Sequence, residues 1–182
     1  DDGTDAQQEQ GSFGRGLVVI NGAAVALARV RLSANRDVGL SVVGANSVAL
    51  LDDLLIDGTR PELATSTGGW GGSVEEGARL RIRRGRVSGN RDLGLMVMLP
   101  GSRLAAADLA VHGTLPQLSD GKSGRGIEAQ NLASLVLAGA VIADNHEIGL
   151  HVSAAQLLHN NSISNHTGDA GLSVPPPPVA LQ

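Results

Sequence analysis

Cysteine is absent from the 182 residues, which excludes disulfides, thiolate zinc sites and cysteine nucleophiles. Aromatic side chains are nearly absent as well: Phe13 and Trp70 are the only two. An irregular globular core uses aromatics to fill its gaps. A chain that is 42% hydrophobic without them is expected to stack Val, Leu, Ile and Ala in a regular lattice. Lys122 is the single lysine against thirteen arginines, a bias that, with abundant Ala, Gly and Leu, suggests a GC-rich bacterial source. The formal net charge of -4 disfavours general nucleic-acid binding, which relies on phosphate neutralisation. No apolar run approaches the length of a membrane span or a signal peptide core.

What the chain does contain is a repeat. The segments Asn35-Arg-Asp-Val-Gly-Leu-Ser-Val42, Asn90-Arg-Asp-Leu-Gly-Leu-Met-Val97 and Asn145-His-Glu-Ile-Gly-Leu-His-Val152 align at an offset of 55. Asn, Gly, Leu and Val are shared by all three, and the third position is always acidic. The same offset carries Gly14 to Gly69 and Gly124, Gly16 to Gly71 and Gly126, and Thr4 to Thr59 and Thr114. Self-similarity held in one register over so many columns marks a repeat architecture.

Each unit reads as two turns of a coil. Gly126-Ile-Glu-Ala129 is followed by Gly149-Leu-His-Val152 at an offset of 23, and the rest of the unit holds a second coil plus an excursion, 58–69 or 113–124. Coils of about 22–23 residues with three short strands each fit a parallel β-helix; the leucine-rich repeat consensus is missing. Period-two alternation turns Leu40 and Val42, Leu95 and Val97, and Leu150 and Val152 inward. Gly39, Gly94 and Gly149 suit corners with positive φ. Asn35, Asn90 and Asn145, just before those corners, are expected to satisfy buried backbone groups as a structural ladder.

Through its Asn-x-x-x-Gly-Leu-x-Val columns, the sequence resembles right-handed parallel β-helix repeat proteins of the pectate-lyase-like superfold. The recurring Gly-Thr-x-Pro stretch leading into Gly-Arg-Gly-Ile127 looks like bacterial cell-surface repeat proteins within that group. The expected fold is therefore an all-β, right-handed parallel β-helix (a solenoid) of about six to seven coils. Its units are 14–68, 69–123 and 124–174. Residues 1–13 read as the end of a preceding unit, because Asp2-Gly-Thr4 aligns with Asp57-Gly-Thr59. Pro175 to Pro178 open a proline-rich tail, 175–182.

In pectate-lyase-like enzymes the resemblance implies an outward column on the first strand of each coil, with acidic residues that bind calcium. The matching positions here are Val18, Ser41, Ser73, Met96, Glu128, His151 and Ser173. One acid in seven cannot make that cluster. Glu128, His151 and Ser173 are expected on adjacent coils facing solvent, an acid–imidazole–hydroxyl order that is also that of a nucleophilic triad; a surface ion pair beside a serine is the plainer reading. Arg79, Arg81 and Arg83 alternate with Leu80 and Ile82, so they share one outward face, where guanidinium groups could grip carboxylates or sulfates bidentately. Charge on an exposed strand also guards against edge pairing. Trp70 stands where Arg15 and Arg125 stand in the sister units, either to stack on a sugar or to cover its own loop. No metal site is expected. Asp57 and Asp120 are candidate calcium ligands, but their counterparts His112 and Thr65 would not repeat the site.

The leading expectation is a rigid structural or adhesive module, extracellular or at a bacterial cell surface on the strength of the resemblance. Its expected partner is an anionic polysaccharide or cell-envelope glycan, without nucleic acid or membrane insertion and without a cofactor. Two alternatives stay open: a carbohydrate-active lyase, hydrolase or epimerase, and a segment that self-associates end to end.

Overall fold

The computed structural model describes residues 14–163 and 170–173, with side-chain surroundings for 14–158. The preceding-unit segment 1–13, the tail 175–182 and the Ser173 side chain lie outside the described residues.

Every regular element described is a strand, and all strand pairing is parallel. One sheet holds β1 (Leu17–Val19), β3 (Val38–Val43), β5 (Trp70–Glu75), β7 (Leu93–Met98), β9 (Arg125–Gln130), β11 (Ile148–Ser153) and β13 (Ala170–Ser173), in that order. The other holds β2 (Ala24–Ser33), β4 (Val48–Asp57), β6 (Arg79–Ser88), β8 (Arg103–His112), β10 (Ser134–Ala143) and β12 (Gln156–Ile163). The chain therefore crosses from one sheet to the other after each strand and returns one position further along. Leu40, Leu95 and Leu150 fall on β3, β7 and β11, so the repeat offset moves a residue two strands along its sheet. No helix among the described residues is long and apolar enough to cross a membrane.

Side-chain alternation sets the two faces of each sheet. In β6, Leu80 and Ile82 are buried while Arg79, Arg81 and Arg83 are exposed. A single apolar cluster takes Leu40, Val42, Leu95, Val97, Leu150 and Val152 from the first sheet, and residues such as Ile56, Leu80, Leu104 and Ile142 from the second. Registers such as Leu51↔Ile82↔Ala106↔Leu137 run this core through successive strands as aliphatic columns.

Two sequence expectations are corrected. Three short strands per coil were expected, but there are two sheets, because the second and third strands merge into one long strand. Arg29, Asp53, Arg84, Asp108 and Gly139 take positive φ (53–63°) at one level of β2, β4, β6, β8 and β10. The pairing steps over them, from Ala28↔Asp52 to Val30↔Leu54 for instance. One residue is skipped on both partners and the register holds, so a column of left-handed residues bends each long strand without ending it.

The second correction concerns Gly39, Gly94 and Gly149, none of which has positive φ. They lie inside strands, in a column with Gly16, Gly71 and Gly126, and what Gly39 and Gly94 require is space. A Cβ on Gly94 would run into the carbonyl oxygen of Gly126 and sit 2.7 Å from Val111 Cγ1. One on Gly39 would sit 2.7 Å from the Gly71 carbonyl oxygen and 2.9 Å from Ile56 Cγ2. Above this column lie buried amides and hydroxyls in alternation: Asn35 over Gly16, Thr59 over Gly39, Asn90 over Gly71, Thr114 over Gly94 and Asn145 over Gly126. Thr59 N–H donates to Asn90 Oδ1 at 3.0 Å, and Thr114 N–H to Asn145 Oδ1 at 3.1 Å. These asparagines anchor the start of each excursion.

Candidate functional site

The first-sheet column is in register from end to end: Val18↔Ser41↔Ser73↔Met96↔Glu128↔His151↔Ser173. It does not stand open to solvent as the sequence suggested. Ser41, Ser73, Met96 and Glu128 are buried, and His151 is half-buried. Stacking at about 4.8 Å covers each short side chain by those on either side, and at Glu128 an arginine folds over as well. Arg125 Nη1 donates to Glu128 Oε2 at 3.0 Å, and His151 Nδ1 lies 3.3 Å from Glu128 Oε1. Arg125 also holds Glu147 at 3.2 Å. Burial works against the Arg125 charge, but the hydrogen bonds and charges of Glu147 and Glu128 outweigh it and raise the guanidinium above its ordinary value. Both carboxylate oxygens of Glu128 are thus engaged. Chemically, this is an ion-pair cluster that ties β9 to β11.

Trp70 belongs to a repeated link that sequence reasoning passed over. Its Nε1–H donates to Asp92 Oδ2 at 2.6 Å. In the sister units, Arg15 Nε meets Asp37 at 2.9 Å and Arg125 Nε meets Glu147 at 3.2 Å. All three pairs share one sequence separation, 22. The acid at the third position of each Asn-x-acid motif is the acceptor, and the indole replaces a guanidinium as donor. The signal was present as an acid column and a donor column at fixed spacing. Trp70 lies in the first sheet and the arginine row in the second, so they do not form one site.

The outer face of the second sheet carries the other candidate. Arg79, Arg81 and Arg83 share the exposed face of β6. Arg83 is engaged by Asp52 at 3.3 Å, and its neighbour Arg84 by Asp53 at 2.7 Å. Arg79 and Arg81 have no carboxylate within 4 Å among the described residues, nor has Arg103, which pairs with Arg79 across β6 and β8. Beside them the sheet surface drops. Ala105 and Ala107 of β8 and Val136 and Ala138 of β10 floor a groove of about 860 Å³, flanked by Arg79, Arg81, Arg103 and Leu132. A smaller groove, about 350 Å³, lies on the other side of the arginine ridge over Ala26 and Ala28. Arginine side chains on β6 wall the first groove beside the alanines of β8, and the second lies over Ala26 and Ala28 of β2, with Leu50 and Asp52 of β4 between them and β6. Arg103 was missed by sequence reasoning because it is alone in its strand; only the register shows it beside Arg79.

Among the described residues, no three His, Asp or Glu side chains lie together in a way that would hold a metal ion. Comparison with protein-family models, characterised proteins and solved structures finds no match. The chain's function must be read from its own geometry.

Proposed function

We propose that the chain is a segment of right-handed parallel β-helix of the pectate-lyase-like kind, acting as a rigid structural or adhesive module of a bacterial surface or secreted protein. It binds an anionic polysaccharide or envelope glycan on the outer face of the second sheet. The strand-by-strand alternation between two parallel sheets supports the first part, although a fold hosts many functions.

The observation that carries the binding role is the set of exposed guanidinium groups of Arg79, Arg81 and Arg103, which have no carboxylate partner among the described residues, around a groove floored by small apolar side chains. Guanidinium is the side chain best matched to carboxylate and sulfate, which it meets with two parallel hydrogen bonds. The test is a glycan array probed with the wild type and with an Arg79/Arg81/Arg103 triple alanine variant. Binding to uronic-acid polymers that weakens with salt and vanishes in the variant is expected; a wild type that binds no anionic glycan removes the proposal.

A carbohydrate-active enzyme is a second reading, favoured by the contact between Glu128 and His151. Turnover of uronic-acid polymers that is lost in Glu128→Gln would establish it.

A further inference from the structure

Turns at Asn21–Gly22, Glu76–Gly77 and Asn131–Leu132 carry the chain from the first sheet to the second at equivalent places in the three units. In each, both central residues have positive φ: 58° and 74°, 56° and 82°, and 55° and 65°. A backbone bond closes each turn, from Ala23 N–H to the Ile20 carbonyl at 3.0 Å, Ala78 to Glu75 at 3.1 Å and Ala133 to Gln130 at 3.3 Å. Successive left-handed residues make a type I′ turn, for which Asn-Gly is a preferred pair. The turn therefore accounts for the residues chosen. It does not account for their chemistry.

An asparagine followed by glycine holds an electrophile and a nucleophile within reach of a ring closure. The Gly22 amide nitrogen, once it has lost its proton to water, can attack Cγ of Asn21. The N–Cγ bond forms as Cγ–Nδ2 breaks, and the side-chain nitrogen leaves as ammonia. Water then opens the succinimide at either carbonyl to give aspartate or isoaspartate, with no change of oxidation state. Closure is intramolecular, and glycine has no side chain to crowd the attacking nitrogen. Of the asparagines with described side chains, Asn35, Asn90 and Asn145 are buried, while Asn21, Asn46 and Asn131 are exposed. Asn46 precedes Ser47 and Asn131 precedes Leu132, so Asn21 alone among them has an unhindered neighbour.

The fold holds that nitrogen back. Gly22 N–H donates to Oγ of Ser47 at 3.0 Å, as Gly77 N–H does to Oγ of Ser102 at 2.9 Å. Both serines are buried. We propose that Asn21 is a site of spontaneous deamidation by water, and that the Ser47 hydroxyl sets its rate. While the bond stands, the nitrogen keeps its proton and the turn its shape; when it opens, the ring can close. The two products differ in effect. Aspartate fits, because Glu76 carries a carboxylate at the equivalent place with φ of 56°. Isoaspartate lengthens the main chain inside the turn, so the Ala23–Ile20 and Gly22–Ser47 bonds cannot both survive, and the crossing from β1 to β2 loosens.

Incubation of the full chain at mildly alkaline pH, with peptide mapping by mass spectrometry and isoaspartate detection, tests this. In urea Asn21 should deamidate faster than Asn46 and Asn131. In native buffer it should react about tenfold or more slowly than in urea. Ser47→Ala should speed the native reaction about fivefold, the equivalent of one hydrogen bond. Ser102→Ala removes the same bond from a turn without asparagine and should leave Asn21 at the wild-type rate. Amide exchange in the wild type gives a reading that needs no variant: Gly22 N–H should be protected. Asn21→Asp should keep the wild-type unfolding midpoint. The proposal is overturned if native and urea rates agree, or if Asn46 or Asn131 outpaces Asn21 in urea. It is equally overturned if folded Ser47→Ala reacts no faster than wild type, if Ser102→Ala speeds Asn21 as much, if Gly22 N–H exchanges at the free-peptide rate, or if Asn21→Asp unfolds earlier.

Discussion

Gly94 and Asn145 show two different ways in which a single position can be held by its neighbours. At Gly94 the next strand's carbonyl oxygen occupies the direction a Cβ would take, and Val111 blocks any sideways escape. Backbone cannot give way as a flexible side chain can, so Gly94→Ala should lower stability by about 1–3 kcal/mol or more, read as a lower urea midpoint with an unchanged slope. Gly58 has positive φ but nothing within 4 Å of the Cβ direction, so an alanine there meets only conformational strain and should cost less. Asn145 is buried and accepts from Thr114 N–H. Asn145→Ala strands that donor, a loss of about 1–3 kcal/mol, visible as faster amide exchange at Thr114. Both columns were legible in the sequence because identity recurs from unit to unit at one fixed offset. The reason for glycine was not: a turn with positive φ and a close approach of two strands leave the same letter.

At the scale of one strand, β6 illustrates how charge is shared with the strands beside it. Its left-handed residue Arg84 stands between Asp53 and Asp108 in a column that alternates in sign with Arg29. The hydrogen bond from Arg84 is the main cause holding the Asp53 carboxyl below its ordinary value of 3.8, with desolvation opposing it. A depressed carboxylate favours the folded state above its unfolded value and loses that contribution as pH falls through the folded value. The pair is solvent-exposed, so Asp53→Asn should lower the urea midpoint only slightly at neutral pH. Wild type and variant should converge well below pH 3.8 and also at high salt. Only Gly139 in this column carries a glycine, and for that reason the merging of two expected strands could not be read from the sequence. The alternation of Leu80 and Ile82 with arginine, by contrast, placed the exposed face correctly.

Another inter-strand link gives a cleaner test. Trp70→Phe keeps an aromatic ring but removes the donor to Asp92, so it should cost about 1–2 kcal/mol. Trp70→Arg should recover most of that, because Arg125 reaches Glu147 from the equivalent position. If Phe proves harmless and Arg disruptive, the indole is packing and the repeated donor column has no role in stability.

The whole molecule is additive in character, since each strand's pairing partners are the strands before and after it in its own sheet. Nearest-neighbour stacks gain stability unit by unit and tolerate loss of a whole unit. Deletion of residues 69–123 would join Gly68 to Gly124, in place of Ser123 to Gly124. The backbone on either side already matches: φ is 75° at Gly68 and 65° at Ser123, and 91° and 92° at Gly69 and Gly124. The new junction would set Leu40 of β3 beside Ile127 of β9, where Leu95 stands now, and Leu51 of β4 beside Leu137 of β10. The shortened chain should therefore fold, with the same strand-type circular dichroism per residue and a lower unfolding temperature. It should also lose uronate binding, because Arg79, Arg81 and Arg103 leave with the block. Removing a stretch out of phase with the repeat, such as 80–123, should not fold, since it would join Arg79 at the start of β6 to Gly124 just before β9 and leave two parallel first-sheet strands, β5 and β9, with no second-sheet strand to cross over between them. Equal tolerance of the two deletions would mean that stacking in whole repeat units is not what holds this chain together.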